Sequence, residues 1–136
     1  MRRIRPGQRH LQQDSEGGAA AVEFALVIPV LLLVLCGIFD FGNIYLQMDI
    51  VNQAARQGAR LAAVSTSSGE TPQQITTALQ SYYGSQLIVP PFTIPASGNN
   101  VTVKVQSNVT IMTPIISAFF PSNPYTVQGQ CTMYVE

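Results

Sequence analysis

Three hydrophobic rhythms follow one another along this chain. From Ala19 to Phe39 the apolar residues are continuous, 21 positions in which Glu23 is the only charged residue. At about 1.5 Å per residue, a helix of that length covers about 30 Å, one bilayer hydrocarbon core. Pro29 removes one backbone hydrogen bond inside it, which membrane helices tolerate. The rhythm then changes to steps of three and four at Phe41, Ile44, Tyr45, Met48, Val51, Ala55, Ala59 and Ala62. That is one apolar face of an amphipathic helix, with Asp49, Asn52, Gln53, Arg56 and Arg60 on the polar face. A single helix is therefore predicted from the apolar run to about Val64, about 70 Å long at the standard rise. Gly37 and Gly42 are points at which it could bend.

The second half of the chain alternates differently. "STSSGE" (65–70) ends the helix with small polar residues. Thr71-Pro72-Gln73-Gln74 has a capping threonine, proline at the first helical position and glutamine at the third. It predicts a short helix with Ile75, Ala78, Leu79, Tyr82 and Tyr83 on its apolar side, closed by Gly84. "VPPFTIPASGNN" (89–100) has three prolines and reads as a loop or edge segment. Val101, Val103 and Val105, then Val109 and Ile111, have the period of a half-buried strand, with a bulge expected near Ser107-Asn108. Tyr125, Val127, Gly129, Cys131, Met133 and Val135 predict a second strand. Two strands are marginal alone, so they must pack on the helices or find a third partner. Between them, "PIISAFF" (114–120) is either core beneath a loop or an exposed patch for another subunit. The fold class expected is α+β: a long membrane-spanning helix extended into an amphipathic one, then a small head of a short helix and an antiparallel sheet.

Charge orients this arrangement. Charged residues make up 10% of the chain, against roughly 25% in soluble domains. Arg2, Arg3, Arg5 and Arg9 precede the apolar run, and beyond Arg60 the sole cation is Lys104. The positive-inside rule puts residues 1–16 in the cytoplasm and residues 43–136 outside, a single pass through the membrane. With no basic stripe downstream, nucleic acid is not an expected partner, whereas membrane lipid is. A conventional secretory signal fits poorly, because the run exceeds an h-region of about 7–15 residues and "DFGNIYLQMD" (40–49) offers no small-x-small cleavage site.

The small residues stand on the other side of the run. Gly17 and Gly18 precede "AAAVEF", with Glu23 five residues past Gly18. This resembles the class III signal of type IV pilin-like proteins. The resemblance implies that a prepilin peptidase cuts between Gly18 and Ala19, leaving the apolar segment in the product with a glutamate at position five. It also implies that Glu23 recruits neighbouring subunits by pairing with the freed Ala19 ammonium. A carboxylate costs roughly 2.5–3.5 kcal/mol at the centre of a membrane span and is tolerable among packed helices only when paired. The simpler alternative leaves Glu23 near the headgroups unaided, about one turn from the run's start.

Downstream, Asp40-Phe41-Gly42, Ala54-Ala55-Arg56 and Gly58-Ala59-Arg60 resemble the TadE-like pseudopilins of tight-adherence (Flp) pilus systems. The resemblance is close over residues 17–64 and only general beyond them. Members often carry glutamate where Gln57 stands, so a possible local ion pair is missing here. Ala54, Gly58 and Ala62 recur every four residues, as do Ala55, Ala59 and Ala63, rows that let another helix approach closely. Arg56 and Arg60 are either a solvated face or inter-subunit partners for Asp40 and Asp49.

The domain plan expected is a cleaved basic leader (1–18), a transmembrane and extended helix (19–64) and an extracytoplasmic α+β head (65–136). The resemblance implies a minor pseudopilin that helps to initiate or assemble a Flp-type pilus for adhesion or secretion. Its implied partners are a prepilin peptidase, other pilins, an assembly platform and an ATPase. A major pilin and an unprocessed membrane-anchored binding module remain open; abundance in sheared filaments marks the first and a retained leader the second. No enzyme activity, cofactor or metal is expected. His10 is the only histidine, and there is no nucleophile–base set, phosphate loop or Cys–His cluster. Cys36 and Cys131 are read as unpaired, Cys36 as a small core hydrophobe, the alternatives being a lipidated Cys36 and an intermolecular disulfide through Cys131.

Overall fold

The computed structural model describes residues 9–135, with side chains for residues 17–65 and 69–135. Arg2, Arg3 and Arg5 lie outside the described residues, as do the side chains of Arg9 and His10. The fold is α+β, as expected. Helix α1 (Arg9–Ser68) is followed by α2 (Pro72–Tyr83), β1 (Asn100–Val109), α3 (Pro114–Ser117) and β2 (Tyr125–Tyr134). The chain divides into two units, Met1–Ile38 and Phe39–Glu136.

In the first unit α1 continues through Pro29. Its apolar side chains face outward: Phe24 and Leu26 are 66% and 72% exposed. The helix is long and apolar enough to cross a membrane. Cys36 is exposed on it rather than forming part of a core, and neither cysteine is bonded.

The second unit, the head, holds the core. Val51, Ala54, Ala55, Ala59 and Ala62 of α1 are fully buried there, with Ile75 and Leu79 of α2 and the inward valines of β1. Of the apolar face read from the sequence, Phe41, Tyr45 and Met48 are exposed, because the covered stripe runs through Asp40, Ile44, Gln47 and Val51, beside them. Thr71 caps α2 as expected: its hydroxyl accepts from the Gln74 N–H, and the Gln74 side chain accepts from the Thr71 N–H. Ile75 and Leu79 point inward, but Ala78 and Tyr82 are exposed, since one side of so short a helix meets the core.

β1 and β2 pair antiparallel, from Asn100 opposite Tyr134 to Val109 opposite Tyr125. The register is unbroken, so the expected bulge is absent. Ser107 keeps the inward phase of the valines and is buried. Its hydroxyl donates to the Gln47 side-chain oxygen of α1 at 3.2 Å, which offsets the cost of burying it. The third partner that two strands require is short: Ile88 exchanges both backbone hydrogen bonds with Gln106, each 2.8 Å. Uncharged cross-strand bonds cover the outer face, among them Thr102 to Thr132 at 2.8 Å and Gln106 to Gln128 at 3.0 Å.

Candidate functional site

Two groups of residues carry the candidate chemistry, one in each unit. In the first, Gly18, Ala19 and Glu23 are exposed on α1, and a side chain built at Gly18 meets nothing within 4 Å. The Gly18–Ala19 bond is helical. A peptidase that binds its substrate extended must open this turn, and adjacent Gly17 and Gly18 lower the cost, at roughly 0.5–1 kcal/mol of helix preference each.

In the head, the small-residue rows are covered by the chain's own elements. Ala54, Ala55, Ala59 and Ala62 line the core, and a Cβ at Gly58 would stand 2.9 Å from Leu79 Cδ1 and 3.0 Å from Val103 Cγ1. At these rows the close approach is made by α2 and β1 of the same chain. Arg56 and Arg60 are exposed on the opposite side. Asp49 is exposed and accepts from the Gln53 side chain one turn on, at 2.7 Å.

Asp40 is placed differently from the other charged candidates. It stands just past the apolar run and is 5% exposed. One carboxylate oxygen accepts from the Met112 N–H at 3.0 Å and the other from the Thr113 N–H at 2.9 Å. The carboxylate is thus engaged within its own chain, by backbone more than 70 positions away. The Thr113 hydroxyl beside it, then the Met112 N–H, hold its pKa below the ordinary carboxylate value, while burial opposes them. The hydroxyl itself is buried without a well-formed hydrogen bond, so it acts as a nearby dipole, and the two N–H groups are the firm bonds.

Three further features escaped sequence reasoning. Met112 and Thr113 have apolar and small polar side chains, and their role is carried by the backbone. Asn123 holds the same loop, accepting from the Ile111 N–H at 3.1 Å and donating to the Ile111 carbonyl at 3.0 Å. At Gly129, a Cβ would stand 2.6 Å from the Val51 carbonyl oxygen. Glycine in phase with a strand's inward residues was the available signal, since it often marks a close approach of another backbone.

Comparison with known proteins returned one family. Residues 18–60 match the model of the family described as TadE-like protein, a stretch that includes Glu23, Asp40-Phe41-Gly42 and both Ala/Gly–Arg motifs. No curated protein and no solved structure matches the chain. Over residues 18–60, then, the chain is similar to TadE-like proteins.

Proposed function

We propose that this chain is a minor pseudopilin of a Tad pilus system, cut between Gly18 and Ala19 and acting in assembly or initiation of the pilus. The TadE-like match from residue 18 to residue 60 carries the reading. It takes in the cleavage glycine, the glutamate at mature position five and the first part of the head. An apolar helix compatible with a single membrane pass and an exposed Gly18–Ala19 bond support it. The work is structural. The apolar segment holds the chain in the inner membrane, the head stands outside, and Glu23 recruits other pilins before the platform and ATPase extend the assembly.

N-terminal sequencing of the native protein tests this directly, and the expected first residue is Ala19. Gly18→Val adds a branched side chain at the scissile bond and is expected to leave a precursor heavier by about 2 kDa at the chain's mean residue mass. Equal mobility with and without the peptidase would refute processing. Glu23→Ala is expected to insert normally, since it removes a charge from the membrane segment. It is also expected to be cut normally, yet to lose co-purification with partner pilins because the Ala19 ammonium loses its counter-charge. Glu23→Gln, which keeps shape and some hydrogen bonding, is expected to be milder. Normal pili from cells carrying only Glu23→Ala would reduce Glu23 to a headgroup-seeking charge.

A further inference from the structure

The loop between β1 and β2 exposes large apolar side chains: Met112 at 86%, Ile115 at 55% and Phe119 at 84%. Its level along α1 can be read from three contacts. Val103 lies against Gly58, Ser107 bonds Gln47, and Met112 and Thr113 bond Asp40. β1 and the chain after it therefore run antiparallel to α1, and the loop ends level with Asp40 and Phe41. The ring of Phe120 packs 6.3 Å from that of Phe41. Asp40 follows Phe39, the last residue of the apolar run.

The loop is also made for a dry setting. No charged residue occurs between Lys104 and Glu136. Many of its backbone donors are satisfied internally: Ile111 by Asn123, Met112 and Thr113 by Asp40, Ser117 by the Thr113 carbonyl and Phe119 by the Ile116 carbonyl. Pro114, Pro121 and Pro124 have no N–H to satisfy. Irregular backbone can meet lipid only when its polar groups are paired.

We propose that this loop is a second membrane contact, in which Met112, Ile115 and Phe119 insert into the headgroup–acyl boundary beside the point where α1 leaves the bilayer. The occupant is the lipid surface. An interfacial element of this kind sinks about 5–10 Å, and the level of Asp40 on α1 brings the loop within that reach of Phe39. The proposal rests on the reading of Ala19–Phe39 as membrane-spanning.

The chain contains no tryptophan, so single-tryptophan variants report alone. The full chain would be reconstituted in nanodiscs of lipid brominated near the acyl–headgroup boundary, as Phe119→Trp, as Tyr82→Trp on the exposed side of α2, and as Leu32→Trp in the apolar run. Expected results are a blue-shifted Phe119→Trp emission that brominated lipid extinguishes and aqueous acrylamide spares, with the reverse for Tyr82→Trp. Leu32→Trp is expected to lose emission when the bromines sit deep in the acyl chains. If Leu32→Trp is quenched by lipid while Phe119→Trp behaves like Tyr82→Trp, the loop faces water and the proposal is overturned. A Phe119→Trp emission shielded from acrylamide yet untouched by brominated lipid means that protein covers the loop, which also overturns it. Failure of lipid to quench Leu32→Trp removes the membrane span itself, and the proposal falls with it.

Discussion

Alanine at position 129 is expected to lower the thermal midpoint of the head by about 10 °C, from an overpacking cost of roughly 1–3 kcal/mol at about 4–8 °C per kcal/mol in a domain of this size. The added Cβ would stand 2.6 Å from the Val51 carbonyl oxygen, 2.7 Å from its carbonyl carbon and 2.8 Å from the Asn52 nitrogen. All three are backbone atoms of a helix, so no rotamer change can relieve the contact. Either β2 lifts from α1 or the helix bends. Lifting β2 disturbs its pairing with β1, where Gly129 stands opposite Val105, and opens the layer that buries Val105 and Val127. Gly58→Ala is the informative comparison. Its Cβ meets the side-chain ends of Leu79 and Val103, which can shift, and alanine gains about 1 kcal/mol of helix preference over glycine. Gly42→Ala, with nothing within 4 Å, is expected to be neutral or stabilising. The measurement is thermal unfolding of the full chain in detergent, followed by near-ultraviolet dichroism of the head tyrosines. A Gly129→Ala midpoint equal to wild type would show that the sheet does not seat on the helix as described.

That contact marks the boundary of what the sequence discloses. Features set by neighbours in the chain are legible. The apolar run, the Thr71 cap, the stop at Gly84 and the alternation of both strands each follow from residues within about one or two turns of each other. Features set by contacts across the fold are not. The small-residue rows at Ala54, Ala55, Gly58, Ala59 and Ala62 announce a close approach but not what approaches, and a short head presses its own strand and helix there. Ser107 reads as an interruption because it is polar, although it keeps the valines' phase. Its partner Gln47 lies 60 positions earlier, so no local signal ties the two together. The "PIISAFF" segment left core and surface open because continuous apolar residues suit either, and the structure turns much of it outward.

The charged candidates divide along the same line. Arg56, Arg60 and Asp49 stay on the surface, where composition alone suggests solvent or a partner. A lone aspartate at the end of an apolar run could serve a neighbouring subunit or its own fold with equal economy. In the structure, Asp40 ties α1 to the loop between β1 and β2, and that contact holds Met112 and its neighbours at that level of the helix.

Removing that carboxylate is therefore expected to release the loop. Asp40→Ala leaves the N–H groups of Met112 and Thr113 without their acceptor, at a cost on the order of 2 kcal/mol for charge-assisted bonds to a part-buried backbone. The loss should be local, because the valine core and the β1–β2 register do not depend on Asp40. Amide hydrogen exchange of the full chain in detergent is the discriminating measurement. Met112 and Thr113 should exchange much faster, while Val103 and Val105 keep most of their protection. Asp40→Asn retains one acceptor oxygen but turns an N–H₂ toward the second amide, so one of the two sites should remain protected. The pH dependence follows from the lowered pKa. The folded carboxyl binds its proton less readily than the unfolded one, so its contribution is fully present above the ordinary aspartate pKa of about 3.9 and is lost as pH falls through the folded value. Loop protection in the wild type should accordingly hold through neutral and mildly acidic pH and fail below that range. Asp40→Ala should show little pH dependence there. Unchanged exchange at Met112 and Thr113 in Asp40→Ala, combined with loss of association between copies or with partner pilins, would return Asp40 to the role of an inter-subunit charge.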